Sequence, residues 1–237
     1  MRNATLPRTL LAAAALSCTS LASLAGPSDH SFAWTHEVGS ATLLINGSDL
    51  RTATNRGWVN DSGSNNFGGA TSNYIAGICG SSDSCNGSDD DHHNYFAFDM
   101  GAAGTITSAV LNLYQPSPAE TAGGTPGFLS QYPSLTYSLW DATLNPTTDS
   151  GVGLYTDLGS GTSFGSIVLT SASNGTFVSI SLNAAGIAAL QAAADMRGSA
   201  YIGGAIAAVP EPQTVALMAF GLAAVGFAAR RRTAAKG

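Results

Sequence analysis

The densest grouping of ligand-type side chains in this 237-residue chain is Asp89-Asp90-Asp91-His92-His93-Asn94, with Asp83 a few positions upstream. Carboxylate and amide oxygens packed this closely are the hard donors that Ca²⁺ takes, whereas two adjacent imidazoles favour a transition metal. The run does not follow the alternating spacing of the calcium-hand loop. A string of carboxylates is also what an ordinary solvated loop looks like, and that is the commoner case. Asp89, Asp90, Asp91, His92 and His93 therefore stand as candidate metal ligands, with Ca²⁺ as the candidate cofactor, against a loop that only faces water.

Other residue types bear on other chemistry. Gly161-Thr162-Ser163-Phe164-Gly165 matches the Gly-x-Ser-x-Gly elbow of serine hydrolases, which needs a strand before the serine and a helix after it. Residues 166–170 read instead as a strand, so the segment is a turn and no catalytic residue is assigned. A glycosidase needs two carboxylates about 5 to 9 Å apart, a distance that a sequence does not carry. Rings that stack on sugars are available at Trp34, Trp58, Tyr74, Tyr95, Tyr132 and Trp140. In a domain of this size most of them belong to the core, and a carbohydrate-binding face would draw on those that do not.

These residues must be positioned by short strands. The body is rich in Gly, Ser, Thr and Asn, with brief apolar alternations between turn signals, the signature of an all-β, jelly-roll-like antiparallel β-sandwich. Strands are expected over 41–45, closed by the turn Asn46-Gly47, then over 49–54, 73–78 and 95–99. The strongest strand is 105–114, with Ala109, Leu111 and Leu113 on one face and Val110, Asn112 and Tyr114 on the other. Further strands are expected over 135–140, 166–170, 176–182 and 200–207. Residues 60–71, 80–94 and 115–133 read as loops. One short helix is expected in the body, over 184–194, capped by Asn183.

The two ends are of another kind. The last 29 residues run Val209-Pro210-Glu211-Pro212, then sixteen uncharged residues over 214–229, then Arg230-Arg231-Arg232. As a transmembrane helix, 214–229 would reach about 24 Å at ~1.5 Å per residue; arginines that snorkel let it span. The basic cluster is expected to stay cytoplasmic, which puts everything before Val209 outside. The order of proline-flanked glutamate, short apolar helix and terminal arginines resembles the PEP-CTERM sorting signal of Gram-negative bacteria. That resemblance implies processing near the motif by an exosortase, a membrane-embedded cysteine transpeptidase. It makes Val209, Pro210, Glu211, Pro212, Arg230, Arg231 and Arg232 the sorting residues.

At the N-terminus, Arg2 and Arg8 precede the apolar run 10–16 and the small residues Ala22-Ser23-Leu24-Ala25, which fits a signal peptide cut after Ala25 and the Sec translocon as partner. Three parts follow: a signal peptide over 1–25, an extracytoplasmic sandwich domain over 26–208, and the sorting signal over 209–237. The middle part holds three arginines against fourteen acidic residues, a net charge of −11. Such a field repels nucleic acid. Its cysteines are Cys79 and Cys85, and an oxidising envelope is expected to join them as a disulfide loop.

Within the body, Phe96-Ala97-Phe98-Asp99, a glycine turn, and Ile106-Thr107-Ser108-Ala109-Val110-Leu111-Asn112-Leu113-Tyr114 are loosely similar to secreted β-sandwich modules of the DNRLRE type. The signature that names that group is absent. The reading is an exported cell-surface or exopolysaccharide-matrix protein, transiently anchored in the inner membrane, with a structural or adhesive body that takes carbohydrate rather than an enzyme. The alternative is a surface-displayed carbohydrate-active hydrolase or lyase. Binding of exopolysaccharide without release of reducing sugar is what separates the two.

Overall fold

The computed structural model describes residues 31–34, 41–79, 90–121, 126–206 and 221. Outside the described residues lie the expected signal peptide, Asp83, Cys85, Asp89, the sorting residues 209–212 and 230–232, and the tail helix 214–229 except for Gly221. Among the described residues no helix is long and apolar enough to cross a membrane.

The described residues are mostly β, arranged as two curled antiparallel sheets with two short α-helices. In chain order the strands are β1 (Ser31–Ala33), β2 (Ala41–Ile45), β3 (Asp49–Thr52), β4 (Asn55–Asn60), β5 (Asn65–Asn66), β6 (Ala76–Ile78) and β7 (Asp91–Asp99). They continue with β8 (Ala109–Gln115), β9 (Phe128–Ser130), β10 (Leu135–Asp141), β11 (Ser163–Leu169), β12 (Thr176–Ser181) and β13 (Ser199–Ile206). Helix α1 (Val152–Leu158) lies between β10 and β11, and α2 (Ala184–Asp195) between β12 and β13.

The smaller sheet has the order β12-β8-β2-β3. Its inner residues are those that alternation predicts: Leu43, Leu111, Leu113, Val178 and Ile180 are buried together. The hairpin between β2 and β3 turns on Asn46 and Gly47, at φ 51° and 72°, and Ser48 N donates to Ile45 O at 3.1 Å. Both central residues lie in the left-handed region, as a primed hairpin turn requires.

The larger sheet runs β11-β10-β13-β7 and forks at β7. One edge of β7 pairs with β4 over residues 92–97. The other edge pairs with β13 over 94–99 and, beyond it, with β6 at Asp91 and His92. From β6 the sheet passes to β1 and β9. The two sheets close on one core in which Phe96, Phe98, Tyr137, Leu139 and Ile202 of the larger sheet meet the inner residues of the smaller one.

The short strands β5 and β9 fall within segments expected to be loops, 60–71 and 115–133, and two larger expectations also need correcting. Helix α2 forms as the pattern predicts, with Asn183 Oδ1 accepting from Gly186 N at 3.1 Å, but it is not the only helix. Helix α1 is hidden in a segment whose glycines and threonine lower its helix propensity. Tertiary burial overrides that, because Leu154 and Leu158, one turn apart, are wholly buried with Val59 and Tyr95 on the outer face of the large sheet. Each such leucine contributes about 1.5–3 kcal/mol. The second correction is that β7 begins at Asp91, not Tyr95. The polar residues 91–94 are strand because β4 and β6 hold them from both sides.

Candidate functional site

The extension of β7 decides what the Asp/His run does. Successive strand residues point to opposite faces, so Asp91, His93 and Tyr95 share the outer face with α1, while His92, Asn94, Phe96 and Phe98 face the other way. The adjacent histidines are thereby separated. His92 is 1% exposed, stands edge-on to Trp58 with ring centres 4.7 Å apart, and directs Nδ1 to Gly77 O at 3.3 Å. Asp90, just before the strand, accepts from Asn60 Nδ2 at 2.6 Å. Among the described residues no three His, Cys, Asp or Glu side chains converge as a metal-binding group. Asp89 lies outside them.

His93 sits differently. Its ring stacks on Tyr155 of α1, with centres 3.9 Å apart and planes 7° from parallel. Nδ1 lies 2.6 Å from Tyr155 O, and a carbonyl only accepts, so Nδ1 carries the proton. In the neutral ring Nε2 is then a free acceptor, without a hydrogen bond among the described residues. The Tyr155 hydroxyl donates to Asp91 Oδ2 at 2.8 Å. Burial pushes the His93 pKa below its usual 6.5, against the opposing pull of the Tyr155 carbonyl and of Asp91 and Asp61. Burial, followed by the Asp91 charge, raises the Tyr155 phenol, so it stays a donor.

Asp91 and His93 line a cleft of about 240 Å³ together with Ser138, Trp140, Gly159, Ala205 and Ile206, with Tyr155 behind them. The sheet register explains the grouping. Ser138 pairs with Ala205, and Gly203 lies between Trp140 on one side and Tyr95 on the other, so β10, β13 and β7 present one continuous outer surface. Helix α1 crosses it at Gly203, where a Cβ would stand 2.5 Å from Leu158 O. Gly159, just after the helix, is similarly obligatory: a Cβ there would lie 2.1 Å from His93 Cε1. Between β10 and β11 the register slips at Leu139/Trp140, a bulge of the kind that re-aims a side chain beside a site.

The aromatic candidates now divide. Trp34, Tyr74 and Tyr95 are fully buried and Trp58 is 4% exposed, so all four are packing residues. Tyr74 and Tyr137 belong to a buried polar network on the inner side of β7. There Tyr137 donates to Asn94 Oδ1 at 2.7 Å and Arg56 lies 4.8 Å over the Tyr74 ring. Tyr132 packs partly buried against the core. Trp140 lines the cleft. Sequence reasoning missed Ser138, Tyr155, Gly159, Ala205 and Ile206, and only Tyr155 left a signal, as the aromatic neighbour of the Leu154/Leu158 pair.

Elsewhere the structure places Ser163 exposed at the start of β11, with strand and no helix after it. Cys79 is buried against Phe32, Trp58 and Ile75. Its expected partner Cys85 lies outside the described residues.

A family model described as the PEP-CTERM protein-sorting motif matches residues 208–232. The chain carries a PEP-CTERM sorting motif. The match spans Val209, Pro210, Glu211 and Pro212 and ends on Arg232, the stretch singled out by its proline-flanked glutamate, apolar run and arginines. The PEP-CTERM motif marks an exported, envelope-associated protein with an exosortase as processing partner. No curated protein and no solved structure matches this chain.

Proposed function

We propose that this protein is an exported component of the outer cell surface or the exopolysaccharide matrix, whose sandwich body is a structural or adhesive module that binds carbohydrate in the Trp140 cleft. One observation supports the second half most: of the chain's three indoles, two are packed in the interior and the third lines an open cleft beside a carboxylate, an imidazole and a hydroxyl. An aromatic platform with a few convergent polar groups is how small polar ligands are held. The volume is below the roughly 300–1,000 Å³ of drug-sized sites, so the cleft suits about one sugar ring.

In this reading the Sec translocon delivers the chain after cleavage behind Ala25, the 214–229 helix anchors it in the inner membrane, and the exosortase releases it near the Pro210-Glu211-Pro212 motif. Cys79 then pairs with Cys85 in the oxidising envelope. Retention of full-length protein on its host's exopolysaccharide, followed by a reducing-sugar assay, tests the body. Binding without release is the expected result; release would move the reading to a hydrolase or lyase, and no retention would overturn it. Deleting residues 209–237 is expected to send the body into the medium, and unchanged retention would contradict the sorting step.

A further inference from the structure

Resting on the reading of the cleft as a carbohydrate site, we propose that its ligand is a cationic amino sugar, a hexosamine residue with a free ammonium group. Asp91 offers only acceptors, and once Oδ2 has taken the Tyr155 hydroxyl its other oxygen has no hydrogen bond among the described residues. His93 turns Nδ1 to a backbone carbonyl and leaves Nε2 as an acceptor. The Ser138 hydroxyl has no hydrogen bond, and the Trp140 ring no aromatic partner, among the described residues. Asp91 and His93 Nε2 only accept, so the part of a ligand that meets them must bring N–H or O–H donors, while the Ser138 hydroxyl can donate or accept and the Trp140 indole N–H can donate.

Charge narrows the choice further. The domain between the two terminal signals contains no lysine and three arginines. Arg51 is paired with Asp49 at 2.8 Å, Arg56 is buried over Tyr74, and Arg197 follows α2 on the surface; none lines the cleft. A uronate, sulfated or phosphorylated sugar would meet Asp91 with no cation to offset the repulsion. An ammonium would meet the Asp91 carboxylate and the face of Trp140, a pairing that draws on both ion attraction and the ring quadrupole. The groups facing His93 are Asp91 on its own strand, Asp61 after β4 and Tyr155 on α1, so the ring adds no positive charge while it is neutral.

The test is calorimetric titration of the full-length chain at pH 7 in a detergent without a sugar headgroup. The probes are a glucosamine trimer, its fully N-acetylated form, a glucuronate oligomer and trilysine. The glucosamine trimer is expected to bind at least tenfold tighter than the acetylated one, with no heat from the glucuronate oligomer. Asp91→Asn, which keeps an acceptor for Tyr155, and Ser138→Ala on the opposite wall are each expected to weaken it about tenfold with an unchanged melting temperature. Equal or tighter binding of the acetylated trimer would overturn the amino-sugar proposal while leaving a carbohydrate site standing. Equal binding of trilysine would overturn it in favour of a basic peptide. Silence from every saccharide would remove the underlying reading as well.

Discussion

The two faces of β7 make an instructive pair. On the inner face His92, Asn94 and Phe96 are buried and their polar groups serve packing: His92 Nδ1 meets Gly77 O with the ring against Trp58, and Asn94 is tied to Tyr74 O and Tyr137. On the outer face Asp91 and His93 keep acceptors open toward the cleft while Tyr155 holds them in place. Two neighbouring histidines thus have opposite duties, set only by the period-2 alternation of a strand. Residue type named the candidates; the pleat assigned them.

The comparison breaks most visibly on substitution of the histidines. His92→Ala removes a wholly enclosed ring and is expected to cost about 3 kcal/mol of stability, read by denaturant unfolding, as other large-to-small core changes do. His93→Ala is expected to cost about 1 kcal/mol and to abolish ligand heat instead. If the two variants lose stability equally and neither changes binding, the distinction between the faces fails. Gly159→Ala comes next. Its methyl would occupy the space of the His93 ring, and the forced shift is expected to weaken the ligand at least tenfold and destabilise by about 1–3 kcal/mol.

Acidification sharpens the same contrast. Burial lowers the pKa of both His92 and His93 below 6.5, so the unfolded chain takes up protons more readily than the folded one. Their contribution is present above about pH 6.5 and lost as pH falls through that value towards the folded pKa values. The melting temperature is therefore expected to drop between pH 7 and pH 5, and a His92→Gln/His93→Gln pair to flatten that drop. The smallest effect is expected from Tyr155→Phe, which deletes one hydrogen bond to Asp91 worth about 0.5–1.5 kcal/mol and leaves the ring stack intact. A full loss of binding in that variant would mean the hydroxyl meets the ligand itself.

Much of the sandwich was legible because its strands are half-buried and alternate. In β8, Ala109, Leu111 and Leu113 point inward and Val110, Asn112 and Tyr114 outward, as the pattern requires. The sorting motif was legible because it is a composition rather than a contact. The cleft was not, for two reasons. The Asp91–Asn94 segment is too polar to read as strand until β4 and β6 are seen to hold it. Helix α1, which brings Tyr155 onto His93, stands on only two leucines among glycines and threonine. Of the six candidate rings, Trp58, Tyr95 and Trp140 lie on strands, where facing is a question of register that a one-residue slip would reverse.

The most direct measurement uses the chain's three tryptophans, Trp34, Trp58 and Trp140, as reporters. With the indole nitrogens labelled, three N–H resonances can be followed while a glucosamine trimer is titrated into the full-length protein. The account predicts that the Trp140 resonance moves to saturation while those of the buried Trp34 and Trp58 stay in place. Movement of a buried indole with Trp140 unmoved, or no movement at all, would contradict it.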